Sequence, residues 1–302
     1  MKKYISAFLI LTYSICNLPS YALSSTSAVI PVIGPGFEKV HDKANELIDL
    51  APIKLPEKIK NFELIEAERY LAPNVLKDQV GLWTSPFRMK YKDLVWLIPA
   101  GGIITALLLT DDDFTQVLSN NNNPTSIQKD ISQGFYSISS APVIVGLPGF
   151  LFLTGVIKKN NRLRETGILQ YEAGLNALIV GLVLQTIFGR TEPDFRRKKD
   201  RGEFFKEHNS FPSGHAFFSF SLASVAAHQY PDKKWVAPLA YILSGIASSA
   251  RVTANKHFVS DVTVGALVGY LIGKYVVEHR SKFAPKKEKK ERLRKPGELS
   301  KI

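Results

Sequence analysis

The sequence predicts an all-α protein: a six-helix transmembrane bundle preceded by a signal-like segment. Charge-free apolar runs of near-bilayer length recur along the chain, and 45% of its 302 residues are hydrophobic. The net charge is +12, with 39 Lys and Arg against 27 Asp and Glu, and the cations gather in short connecting stretches and a tail. One compact soluble domain has no need of that distribution.

Residues 1–22, MKKYISAFLILTYSICNLPSYA, give a short basic start, an apolar stretch over 4–15 and small residues at Ser20 and Ala22. This is the layout of an export signal cut after Ala22. The single cysteine, Cys16, lies inside it behind Ile15, a poor fit to a lipoprotein cleavage site. Neither a disulfide scaffold nor a thiol-ligated metal is therefore on offer.

Residues 23–92 are polar and broken by prolines; the stretch 56–71, PEKIKNFELIEAERYL, fits one amphipathic helix, either resting on a membrane surface or simply solvated. A membrane-embedded domain is expected over 93–277. Within it the runs 94–110, 135–157, 173–189 and 235–250 carry no charge, and a crossing needs roughly 17 to 25 such residues. Two further candidates, 216–230 and 258–277, contain Gly, Ser and single charges that a lipid-facing helix avoids and a bundle interior accepts. The tail, 278–302, holds ten Lys or Arg against four Glu and is expected to be disordered and cytoplasmic, a juxtamembrane basic segment with no call on nucleic acid.

Lys158, Lys159, Arg162 and Arg164 follow the second run, Lys233 and Lys234 the fourth, and the basic tail the sixth, whereas the stretch after the first begins Asp111, Asp112, Asp113. The positive-inside rule then places the connections after the third and fifth crossings on the outer face. A cleaved signal exporting 23–92 gives the opposite orientation. Several short loops outweigh one signal-like start, so the expectation is a multi-pass protein of a bacterial-type inner membrane, its site facing the periplasmic side.

The chemistry sits in two clusters. Phe211-Pro212-Ser213-Gly214-His215 sits at the start of the fourth expected helix, 216–230. The first turn of a helix has unpaired N–H groups and the positive end of the dipole, which bind anions. Pro212 needs no N–H there, Ser213 has a hydroxyl to cap or donate, and Gly214 lets backbone approach a ligand. An ordinary Pro-Ser helix start is the plain alternative. In ARVTANKHFVSDVTVG, His257 and Asp261 are four apart and share a helix face, where the carboxylate reaches an imidazole nitrogen and fixes its tautomer. Arg251 lies six residues upstream. Together the clusters hold the parts for phosphoryl transfer: a nitrogen nucleophile, fixed positive charge and a second imidazole as proton donor.

The spacing Arg251-x5-His257-x3-Asp261, preceded by PSGH and by apolar runs, resembles the type 2 phosphatidic acid phosphatase (PAP2) superfamily, which includes the vanadium haloperoxidases. The resemblance covers roughly residues 90–277. It implies that His257 takes the phosphoryl group as a phosphohistidine, Asp261 orients it and His215 protonates the leaving group. It further implies that Arg251, Ser213 and Gly214 hold the phosphate oxygens, and it implies no metal and no other cofactor. The upstream motif departs: the family has Lys, six residues, then Arg-Pro, often within Gly-Arg-x-Arg-Pro, whereas QTIFGRTEP puts Gln185 at the lysine and Glu192 at the arginine. Arg190 is kept from the Gly-Arg pair and is expected to bind phosphate. The basic residues 196–199 supply replacement charge or form a solvated turn.

The function expected from the resemblance is a membrane phosphatase acting on a phosphorylated lipid: phosphatidic acid, phosphatidylglycerol phosphate, a polyprenyl pyrophosphate or the phosphates of lipid A. Gln185 and Glu192 support the alternative of a member that binds such a lipid or a partner without turnover. A vanadate-dependent haloperoxidase is the third reading, disfavoured by the expected membrane spans.

Overall fold

The computed structural model describes residues 70–119, 141–193, 202–206 and 208–284. Among these the chain is all-α, with no strand: α1 is Leu71–Thr84, α2 Leu94–Ser119, α3 Ala141–Ile157, α4 Asn161–Phe188, α5 Gly214–Gln229, α6 Val236–Thr253 and α7 Val259–Arg280. The six apolar runs fall on α2 to α7, the run 135–157 from Ala141 on, its first six residues lying outside the described ones. Among the described residues three stretches, Tyr91–Phe114, Asn161–Phe188 and Val259–Arg280, are long and apolar enough to cross a membrane. The signal-like segment, most of the stretch 56–71, the basic residues 196–199 and the chain beyond 284 lie outside the described residues.

The structure corrects three boundaries, each time because a charge is neutralised by a partner far off in sequence. Helix α2 runs past residue 110, so Asp111, Asp112 and Asp113 are helical and do not begin a loop. Helix α4 starts at Asn161, well before 173, with the Asn160 side chain accepting from Leu163 N–H at 3.0 Å as its N-cap. Its buried Glu165 accepts from Gln229 Nε2 and from the Lys282 N–H, both at 3.0 Å, and Glu172 accepts from Arg280 Nε at 3.1 Å. The expected tail is ordered to Ala284: α7 continues to Arg280, and Ser281 Oγ accepts from the N–H groups of Phe283 and Ala284 at 3.0 Å.

Helix α1 leans on this polar end. Arg280 Nη2 donates to Asp78 at 2.5 Å, and Gln79 Nε2 donates to Asn176 Oδ1 of α4 at 2.7 Å. Arg162, at the start of α4, donates to the Gln229 carbonyl at the end of α5 and pairs with Asp232. The α3–α4 and α5–α6 connections and the end of α7 therefore share one end of the bundle. The starts of α5 and α7 and the end of α4 occupy the other.

Leu169, Ala173, Ala177 and Val180 of α4 pack with Phe217 and Val225 of α5 and with Ile272, Val276 and Val277 of α7. Spacings of four, four and three put the α4 set on one helix face. What brings α5 and α7 close is a glycine every fourth residue of α7. A Cβ on Gly265 would lie 2.6 Å from the Ser213 carbonyl oxygen, on Gly269 2.3 Å from that of Phe217, and on Gly273 2.3 Å from that of Ser221. Small residues at such spacing let helix backbones touch. Contact along this seam sets the first turn of α5 against the first turn of α7.

Candidate active site

Ser213 is the N-cap of α5, and its N–H donates to the Asp261 carbonyl at 3.0 Å, tying the PSGH corner to α7. The peptide before Pro212 is cis. Behind the corner, Gln185 of α4 is buried and donates its amide to the Pro212 carbonyl at 2.9 Å. The Ser213 hydroxyl is fully buried and makes no hydrogen bond among the described residues. Gly214 and His215 are half-buried at the start of the helix.

The second cluster is placed by the end of α6. Asn255 takes φ 57°, its N–H donates to the Val252 carbonyl at 2.9 Å, and the Lys256 N–H donates to the Arg251 carbonyl at 3.0 Å. These two bonds close a Schellman turn. It carries the chain from Arg251, in the last turn of α6, directly to His257. The α7 helix then starts with Asp261 in its first turn, accepting from the Phe258 N–H at 2.9 Å, the return half of a capping box.

His257 is 7% exposed, and its Nδ1 lies 2.7 Å from the Ser210 carbonyl. A carbonyl only accepts, so Nδ1 carries the proton and Nε2 keeps its lone pair. The sequence reading put Asp261 directly on this ring. The structure instead leaves Asp261 Oδ2 3.8 Å from Nδ1, beyond a hydrogen bond, and gives that oxygen to the Ser210 hydroxyl at 2.5 Å. Ser210 thus stands between carboxylate and imidazole. Its backbone oxygen fixes the ring while its hydroxyl answers to Asp261.

Arg190 also differs from expectation. It is 4% exposed and turned inward: Nη1 donates to Asp261 Oδ1 at 2.7 Å and to Ser260 Oγ at 2.8 Å, Nη2 to Asp111 Oδ2 at 2.9 Å, and Nε to the Gly202 carbonyl at 3.2 Å. Its guanidinium lies over the rings of Phe258, at 4.0 Å, and Phe204, at 4.8 Å. Four acceptors and two aromatic faces hold it against Asp261. The turn after α4 aims it there: Gly189 adopts φ 47°, and Phe205, Lys206 and Ser210 donate N–H bonds to the carbonyls of Phe188, Gly189 and Arg190. The rings of Phe188, Phe204 and Phe211 pack edge-on beneath that turn.

His215 feels both the Arg251 guanidinium and His257. Burial first, then the Arg251 guanidinium and His257, holds its imidazole down to about 3. Glu192, at the family's arginine position, pairs with Lys256 Nζ at 3.0 Å in a half-exposed contact beside His257. Among the described residues no group of three or more His, Cys, Asp or Glu side chains is set to hold a metal ion.

Sequence reasoning missed Asp111, Ser210, Ser260 and Lys256. A signal existed for Asp111 alone, as an ionisable residue abutting an apolar run. Chemically, the arrangement sets the His257 imidazole, the Arg251 guanidinium and the His215 imidazole near one another at the N-terminus of α5.

Residues 169–283 match the model of the PAP2 superfamily. The family resemblance read from the two downstream motifs holds across that segment. A lipid A 1-phosphatase of Porphyromonas gingivalis is 32% identical over 87 residues, which are 28% of this chain and 17% of that protein. The chain thus spans less than a fifth of the length of the curated relative it matches. Among solved structures, Aquifex aeolicus LpxE aligns with TM-score 0.43 and 22% identity over 55% of this chain and 93% of that one. The first transmembrane PAP2-type phosphatidylglycerolphosphate phosphatase from Bacillus subtilis aligns with TM-score 0.48 and 21% identity over 68% and 98%.

Proposed function

We propose, from a segment 169–283 that belongs to the PAP2 superfamily, that this protein is an integral membrane phosphatase that hydrolyses a lipid phosphate or pyrophosphate through a phosphohistidine. The observation that carries the reading is the His257 ring, its Nδ1–H held on the Ser210 carbonyl at 2.7 Å and its Nε2 left as a nucleophile. Nε2 attacks phosphorus in line, and the P–O bond to the lipid breaks. The leaving oxygen takes a proton from His215, which acquires that proton as the phosphate dianion enters and offsets the charge of Arg251. Water then attacks the phosphohistidine, giving its proton to His215 and releasing inorganic phosphate and His257. Arg251, the Ser213 hydroxyl and the N–H groups at the start of α5 receive the equatorial oxygens. Asp261, from 3.8 Å, stabilises the positive charge that grows on His257.

Phosphate monoesters of lipids, the lipid A phosphates among them, and isoprenyl pyrophosphates are the substrates to try. The similarity to a lipid A 1-phosphatase supports including the former. The cations of the short connections and of Arg280 and Lys282, gathered at the end opposite His257, support a site on the outer face. Purified full-length protein in detergent is expected to release phosphate from one of these lipids with chelator present, and His257→Ala to release none. Gln185 and Glu192 favour a second reading, a lipid-phosphate binder. Wild type no faster than His257→Ala across the panel, yet retaining phosphate affinity, would establish it.

A further inference from the structure

We propose that Asp111 of α2 is a positioning residue for His257, acting through Arg190, Asp261 and Ser210. The inference deepens the phosphohistidine reading and rests on it for its kinetic arm only.

Asp111 is 3% exposed within an apolar helix, where a carboxylate is costly unless fully paired. Both its oxygens are engaged. Oδ1 accepts from the Ser260 N–H at 3.0 Å, while Oδ2 accepts from Ser260 Oγ at 2.5 Å and Arg190 Nη2 at 2.9 Å. Ser260 sits in the first turn of α7, one residue before Asp261. Asp111 therefore grips both the helix start that carries Asp261 and the guanidinium that bonds Asp261 Oδ1 at 2.7 Å. The other Asp261 oxygen takes the Ser210 hydroxyl, and the Ser210 carbonyl takes the His257 Nδ1–H. This chain of contacts reaches the imidazole from behind. Of the groups assigned to the phosphate, Ser213 touches this chain through its N–H on the Asp261 carbonyl, not through the carboxylate.

The Arg190 charge is shared between two carboxylates. Without Asp111 it falls on Asp261 alone, weakens the negative field on His257 and leaves the first turn of α7 without its anchor to α2. A buried triad that merely joined helices would change stability without touching the reactivity of one imidazole nitrogen. Asp111→Asn separates the cases, since it keeps the size and one acceptor and removes the charge.

The test uses full-length protein in detergent. Diethyl pyrocarbonate acylates an unprotonated imidazole nitrogen, and peptide mass spectrometry gives the rate at His257 relative to exposed His279 at the far end of α7. Asp111→Asn is expected to lower that ratio severalfold; an unchanged ratio overturns the proposal whatever turnover does. Where wild type releases phosphate, the variant's kcat should fall roughly tenfold to hundredfold, as small misplacements of reacting groups do. Inhibition by inorganic phosphate should stay within about twofold on the same reasoning. Loss of kcat with an unchanged acylation ratio marks a structural role and counts against it. A wild type inactive on every lipid phosphate sinks the hydrolase reading and leaves the acylation ratio to decide Asp111. If Asp111→Asn does not give monodisperse protein, Ser260→Ala, which keeps the charge but frees Asp111 Oδ2 from the first turn of α7, tests the anchoring by the same ratio: a fall is expected, and an unchanged ratio overturns the proposal.

Discussion

Replacing Gly265 by alanine tests whether the α5–α7 seam sets the phosphate corner. The new Cβ would lie 2.6 Å from the Ser213 carbonyl oxygen, 3.0 Å from Ala216 Cβ and 3.3 Å from Phe217 N, whereas ordinary contact begins at 3.4 Å. The two nearest obstacles are backbone and a fixed methyl, so α5 must retreat by about 0.8 Å at its first turn. Overpacking of this kind costs about 1 to 3 kcal/mol, partly offset by the roughly 1 kcal/mol that alanine gains over glycine in a helix. Displacing Ser213 and the α5 N–H groups by such a distance is expected to lower kcat/KM by roughly tenfold to hundredfold. Gly273→Ala is the matched control: its Cβ meets the Ser221 carbonyl at 2.3 Å, a comparable clash two turns from the corner. Gly245→Ala, with nothing within 4 Å, is the benign one. Thermal unfolding in detergent and phosphate release from one short-chain lipid phosphate report on all three. Equal loss of activity in Gly265→Ala and Gly273→Ala, or none in either, would refute the argument that the seam positions the corner.

Three further outcomes follow from the same geometry. The His215 pKa is held down to about 3 by burial first, so a proton-donating His215, as proposed, takes up a proton when phosphate binds. Calorimetric titration of phosphate at neutral pH in two buffers of different ionisation enthalpy should show proton uptake in wild type and less in His215→Gln. Arg162→Ala removes the bonds to the Gln229 carbonyl and Asp232 and the stack on Tyr230 at 4.3 Å. It should lower stability by about 1 to 2 kcal/mol, as lost charged hydrogen bonds do, with kcat unchanged, because this end of the bundle is remote from His257. Glu192→Arg breaks the Lys256 pair, which contributes no more than about 1 kcal/mol at such exposure. It should lower the KM for a lipid phosphate about tenfold at low salt, a gain that added salt erodes; an unchanged KM would remove Glu192 from the phosphate's surroundings.

Much of the fold was legible because its apolar runs are long, and the clusters around Ser213 and His257 were legible because their chemistry lies within short stretches. What could not be read is held by pairs distant in sequence. A charge such as Asp111 or Glu172 looks like the end of an apolar segment until Arg190 or Arg280 is placed beside it. Spacing alone likewise says nothing of Asp111, Asp261 and Ser260 taking the donors of Arg190. An i, i+4 pair on an ideal helix would join His257 to Asp261. But His257 precedes α7, whose N-cap is Phe258, and outside the helix the ring turns to Ser210.

The two departures from the family motif gain sense from these contacts. Gln185 holds the Pro212 carbonyl and Glu192 holds Lys256, so both positions are bound to the protein instead of standing open to an anion. In the proposed site the described groups left for phosphate are then Arg251 and the first turn of α5. The proposed site, two cations short of the family motif, binds its anion less tightly in the ground state than the full motif would. It gains more as charge moves onto the equatorial oxygens and the leaving group, where the α5 N–H groups and His215 act. Turnover is therefore compatible with the loss of both cations, provided His257 stays aimed. That requirement is what the buried chain from Asp111 to Ser210 serves.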